Sequence, residues 1–184
     1  ITATLVEAGG EKDINAAIEK AMETNDTVGG VVECIVKNVP KGIGEPAYLS
    51  VEAALGMIAF GIPAVNGVEF VAGFASSRSY GSVHNDPFVD ARGKTSTNNA
   101  GGINGGITNG NDLVMRVSVK PAASTGVPQK TFDTEKGEMA EIEIKGRHDA
   151  CIARRIPVIL ESAVAIGLAD LLMIDRAING VRER

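Results

Sequence analysis

Apolar and polar positions alternate through residues 29–39, GGVVECIVKNV, and again through 112–120, DLVMRVSVK. A period of two carried by β-branched residues predicts strands with one face buried. Residues 64–74, AVNGVEFVAGF, predict another strand, and 138–145, EMAEIEIK, alternate cleanly enough to predict a half-buried one. The opening stretch 1–9, ITATLVEAG, reads as a first strand or a strand tail. The spacing turns helical in 13–24, DINAAIEKAMET, where Ile14, Ala17, Ile18 and Ala21 share a face and Asp13 suits the cap. Residues 50–62, SVEAALGMIAFGI, open on Ser50 as an N-cap and are apolar nearly all round, which predicts a buried helix. A last helix is predicted over 157–178, with Pro157 in its first turn.

Two consequences follow for the fold class. Strands that alternate expose one side, which favours antiparallel sheets over a doubly wound parallel one. Helices apolar on most faces need cover on most faces, and packing against sheets supplies it. The pattern therefore predicts an α+β layered sandwich, with largely apolar helices against antiparallel β-sheets, as a single domain over 1–184. Residues 75–111 lack strong periodicity and are long for a loop in a compact domain; such segments are functional or disordered.

Composition narrows the chemistry. An apolar fraction of 44% is globular, and a net charge of −5 does not advertise nucleic-acid binding. A local cluster of Arg, Lys and backbone N–H groups can still hold a phosphate in an acidic protein. The apolar run 156–174 carries Glu161 and Asp170, which argue against a bilayer. Cys34 and Cys151 form no paired motif and suit buried, inert thiols in a reducing cytosol. The chain opens on Ile1 rather than Met, as a processed product or a piece of something longer would.

Three stretches carry candidate chemistry. Residues 95–111, TSTNNAGGINGGITNGN, repeat paired glycines four apart and fit neither a dinucleotide fingerprint nor a P-loop. They form either a backbone wall against an anion or flat ring, or else a mobile surface loop or tight hairpin ahead of the next strand. KPAAST at 120–125 places an ammonium and hydroxyls at a strand end; the bland alternative is a strand stopped by Pro121 with a solvated Lys120. KGRHDAC at 145–151 gathers a guanidinium, an imidazole and a carboxylate between a strand and the long helix, where a solvated charge run is the alternative. His84 and His148 lack metal-ligand spacing, so no metal is expected.

Taken in order, GGVVECIVKNVPKGIGEP, IPAVNGVEFVAGF, TNNAGGINGGITNG, KPAAS and KGRHDAC resemble the C-terminal half of chorismate synthase over nearly the whole chain. The resemblance implies a carbon–oxygen lyase of the shikimate pathway for aromatic amino acids, a cytoplasmic flavoprotein and a homotetramer. Such enzymes convert 5-enolpyruvylshikimate 3-phosphate to chorismate by losing phosphate and a ring hydrogen, with reduced FMN as cofactor. Neither nucleic acid nor membrane is implied as a partner. By residue, the resemblance implies flavin-binding roles for Pro63, Ala64, Gly105, Lys120, Pro121, Ala122, Ala123, Ser124 and Arg147. It places Asp149 near the reactive edge of the flavin, managing a proton or orienting Arg147.

The sequence departs from the family pattern in three places. The commoner KPTSS reads KPAAS, which removes two hydroxyls at Ala122 and Ala123. RHDPC reads RHDAC, with Ala150 where proline would fix a turn. The family's N-terminal half, with its histidine general acids and Arg-rich segment, has no counterpart in these residues. The chain by itself is therefore expected to be inactive, as part of an enzyme; the alternative class is a non-catalytic α+β assembly module.

Overall fold

The computed structural model describes residues 1–146 and 148–180. Its elements run β1 (Thr2–Ala8), α1 (Ile14–Glu23), β2 (Gly30–Val36), α2 (Val51–Phe60), β3 (Val65–Phe70), α3 (Gly81–His84), β4 (Ile103–Asn104), β5 (Ile107–Thr108), β6 (Leu113–Val119), β7 (Gln129–Asp133), β8 (Glu138–Ile142) and α4 (Ile156–Asn179). Four strands form an antiparallel sheet in the order β1-β2-β6-β3. Two short hairpins, β4-β5 and β7-β8, stand apart from it.

The alternation in β2 and β6 sets the register. Val32, Cys34 and Val36 pair with Val117, Met115 and Leu113, and all six are buried on the helix-facing side. One residue out of phase, Arg116 lies in register with Glu33 on one neighbour and Glu69 on the other, on the opposite face. Its guanidinium reaches them at 2.8 and 3.6 Å. Half-exposed pairs of this kind stabilise by about 1 kcal/mol or less, so they fix register more than they hold the sheet. Shifting the register by one residue would bury this charged row, which is why the sheet tolerates no slip.

Helices α2 and α4 cover the apolar face, and α1 packs against β1. Ser50 caps α2 by accepting the Ala53 N–H at 3.0 Å, and Asp13 caps α1 by accepting the Ala16 N–H at 3.1 Å. In α4, Ile156, Leu160, Val164, Leu168 and Leu171 recur at helical spacing and are buried. Gly167 lies on the same stripe because α2 passes close by. A Cβ there would stand 2.7 Å from Ile58 Cδ1 and 2.9 Å from Leu55 Cδ2.

Cover is less complete than the pattern predicted. Met57 and Phe60 of α2, and Val158, Ile166 and Met173 of α4, are exposed on the side away from the sheet. The expected half-buried strand at 138–145 is also corrected. It is the second arm of the β7-β8 ribbon, with Phe132 and Met139 paired across it and both exposed. Alternation alone cannot tell a ribbon from a sheet strand, because both have a period of two. The segment 75–111 is ordered by a 3₁₀ turn at Gly73–Arg78, by α3 and by the β4-β5 hairpin.

Candidate functional site

One end of the sheet gathers most of the candidate residues. The end of β6 delivers Lys120, whose backbone N–H donates to Ala64 O at 2.9 Å. Pro63 and Ala64 are thus the cross-strand neighbours of the KPAAS segment. Ala64 holds a φ of +71°, a left-handed conformation that a non-glycine residue rarely adopts and that concentrates at functional turns. Lys120, Pro121, Ala123 and Ser124 are exposed, and Ala122 is half-buried. Among the described residues Lys120 has no ion-pair partner.

A loop that sequence reasoning left without a role ties the pieces together. Thr27 Oγ1 donates to Ala122 O at 2.7 Å, and the buried Thr125 Oγ1 donates to Asn25 O at 3.1 Å. The Val28 N–H donates to Ala150 O at 2.8 Å. Residues 25–28 therefore hold the KPAAS segment on one side and Ala150 on the other. The signal for this loop was Asn25-Asp26, a turn dipeptide; Asn25 takes a φ of +54°. A cleft of about 440 Å³ opens between Met22, Asn25 and Asp26 on one wall and Ile144, Lys145 and His148 on the other. His148 Nε2 lies 2.8 Å from Ile144 O, in hydrogen-bonding reach.

Asp149 belongs to this end. Its Oδ2 lies 2.8 Å from Arg155 Nη2, in the 3₁₀ turn Ile152–Arg155 ahead of α4. Arg147, expected to grip a phosphate, lies outside the described residues.

Gly105 does not join them. It sits at the tip of the β4-β5 hairpin, whose neighbouring Gly106 accepts the Val51 N–H at the start of α2. Pro63 and Ala64 follow the other end of that helix. Ten residues of α2 span about 15 Å, and seven residues of β6 span about 23 Å between the hairpin end and Lys120. Gly105 instead borders a separate cavity of about 310 Å³ with Phe70, Ser76, His84 and Asn104. A Cβ on Gly105 would meet nothing within 4 Å. The glycine stretch forms a tight hairpin, with an open side at Gly105.

The loop around this second cavity is held by Asp86. Its carboxylate accepts N–H groups from Asn99 at 2.7 Å and Ala100 at 2.9 Å, and the Thr97 hydroxyl at 2.7 Å. Burial works against ionisation there, but those donors and the nearby His84 outweigh it and hold the carboxyl below its ordinary range. The cysteines serve neither cavity. Cys34 is fully buried, and burial, then the charge of Glu161, push its thiol up to about 11. Burial likewise raises Cys151.

Comparison with known proteins gives one consistent result. The family model for chorismate synthase matches residues 2–173. The chorismate synthase of Chitinophaga pinensis is 49% identical over 181 residues, which are 98% of this chain and 54% of that protein. That of Archaeoglobus fulgidus is 52% identical over 150 residues, 80% of this chain and 42% of that one. The chain thus spans about half the length of the curated relatives it matches. A solved structure described as "Crystal Structure of Chorismate Synthase" superposes with a TM-score of 0.75 at 23% identity, over 95% of this chain and 57% of that one, a likeness of fold.

Proposed function

The chain belongs to the chorismate synthase family, and from that premise we propose that its Lys120 end is part of the flavin and substrate site of an enzyme making chorismate from 5-enolpyruvylshikimate 3-phosphate. One observation carries the reading: residues 63–64, 120–124 and 148–150, remote in sequence, are tied to one end of the sheet through the Lys120–Ala64 hydrogen bond and, by way of the 25–28 loop, the Thr27–Ala122 and Val28–Ala150 hydrogen bonds. We place the enzyme in the cytoplasm as a homotetramer, with reduced FMN as cofactor, following the family resemblance.

The residues present suit a phosphorylated cofactor. Lys120 and Ser124 are exposed donors at the end of a strand, and an ammonium without an ion-pair partner is the charge a phosphate seeks. Ala122 and Ala123 leave the segment with fewer hydroxyl donors than the family's commoner form. When bound, reduced FMN supplies electron density to the allylic system as phosphate departs. The chain's own part is placement and electrostatics. Lys120 contributes a positive charge that would stabilise anionic oxygens gathering there. Asp149 holds a carboxylate at the same end, where it can accept a proton. The left-handed turn at Ala64 keeps Pro63 and Lys120 in fixed relation through the backbone hydrogen bond.

An FMN titration tests this. Lys120→Gln should weaken FMN binding about 10–100-fold, the loss expected for one charged hydrogen bond of about 1.5–3 kcal/mol. Unchanged affinity in a folded variant would return Lys120 to a solvated strand end.

A further inference from the structure

Asp149 is on an irregular stretch whose backbone is tied down at Ala150 by the Val28 N–H. Its side chain needs a separate restraint. The Oδ2 atom is shielded from water and, among the described residues, accepts no aligned hydrogen bond, yet it stands 2.8 Å from Arg155 Nη2. A shielded carboxylate oxygen without a countercharge is costly, so the guanidinium is what makes this rotamer tenable. The restraint runs from the arginine to the aspartate. Arg155 ends the 3₁₀ turn Ile152–Arg155 and is the N-cap residue of α4, between the buried Ala153 and Ile156. It is therefore mounted at the start of a helix whose buried stripe packs against the sheet and α2.

Helix stability does not explain an arginine at that position. The N-terminus of a helix carries partial positive charge, and a cation there opposes it. Arg155 also provides no side-chain cap for α4. Its side chain is 76% exposed against 32% for Asp149, so most of its donors face outward while one end meets the carboxylate. We propose that Arg155 is a positioning residue, which fixes the carboxylate of Asp149 in the orientation the site uses. The assignment rests on the reading that Asp149 works at the flavin site.

The test is a double-mutant cycle in the full-length enzyme, assayed anaerobically with reduced FMN and substrate. Arg155→Gln should lower kcat by about 10–100-fold, the loss expected from a misplaced catalytic group, with KM and FMN affinity little changed. Arg155→Lys keeps a cation within reach and should recover most of that loss. In an Asp149→Asn background, Arg155→Gln should cost nothing further, because the two residues act as one unit. Independent, multiplicative losses would overturn the assignment, as would a loss confined to KM or FMN affinity, or wild-type kcat in Arg155→Gln. Wild-type turnover in Asp149→Asn would instead remove the site reading itself, and the positioning role with it. Loss in Asp149→Asn with none in Arg155→Gln would leave the site reading standing and dismiss Arg155 alone.

Discussion

Adjacent glycines at the β4-β5 turn are under different constraints. Gly105 and Gly106 have φ of +59° and +87°, as a two-residue hairpin of this type requires. A Cβ on Gly105 enters open space, whereas one on Gly106 would stand 2.7 Å from Glu45 O and 2.8 Å from Ser50 Cβ. Asparagine tolerates the left-handed region, so Gly105→Asn should leave stability within about 1 kcal/mol of wild type. Gly106→Ala adds a collision with backbone and should cost about 2–4 kcal/mol, strain and overpacking together. Urea denaturation of the two variants measures the difference; equal losses would show that the α2 end yields to accommodate the methyl. Because Gly105→Asn is expected to fold normally, its FMN affinity also reports whether the hairpin tip touches cofactor. Spacing in the sequence marks both glycines alike, and only the approach of residues 45–50 separates them.

The segment from α3 to the β4-β5 hairpin is tied by several side chains, of which the Asp86 carboxylate accepts three hydrogen bonds. Asp86 collects two backbone N–H groups and a hydroxyl from residues 97–100, closing the loop. Its folded pKa is below the unfolded value, so its contribution is complete above the ordinary carboxylate range. That contribution is lost as pH falls through the depressed folded value. Asp86→Asn should therefore be less stable than wild type by about 1–2 kcal/mol at neutral pH. The gap should narrow below about pH 4 as the wild-type carboxyl protonates. Hydrogen exchange at the Asn99 and Ala100 amides, followed across pH, checks both statements; a gap independent of pH would mean that the shape of Asp86 matters and its charge does not. The β7-β8 ribbon shows the opposite limit for an element. Two strands alone are marginal in water, and Phe132 and Met139 remain exposed on it, so its alternating pattern promised more burial than the fold delivers.

At the scale of the molecule, α2 and α4 share one apolar face with the sheet and turn another outward. Met57 is 72% exposed and Ile166 67%. The helices read as apolar all round because their composition is so; the described residues cover only one side. By length and composition α4 is also apolar enough to cross a membrane, yet its buried stripe lies against the sheet and α2. The Lys120 end supplies a cation, a hydroxyl and a carboxylate, and the family resemblance implies histidine general acids in the other half of the enzyme. We expect the 184-residue chain by itself to give no chorismate with dithionite-reduced FMN and 5-enolpyruvylshikimate 3-phosphate. Turnover approaching that of a full-length relative, in an anaerobic assay, would show that the residues here suffice.

Local patterns in the sequence determined the elements: caps at Asp13 and Ser50, alternation in β2 and β6, and the helical stripe of α4 all depend on neighbours within a few residues. The order of TNNAGG, KPAAS and KGRHD along the chain likewise determined the family, because each motif is written contiguously. What touches what was decided by tertiary structure. The pairing of Lys120 with Ala64, the loop at Asn25 that joins two site segments, the partner of Asp149 and the separation of Gly105 all follow from strand order and helix packing. Those depend on long-range contacts among residues whose individual patterns are the same whichever neighbour they find. For the same reason the β7-β8 ribbon and the sheet strands carry one signature: alternation records that a strand has two unlike faces, and burial depends on what folds against them.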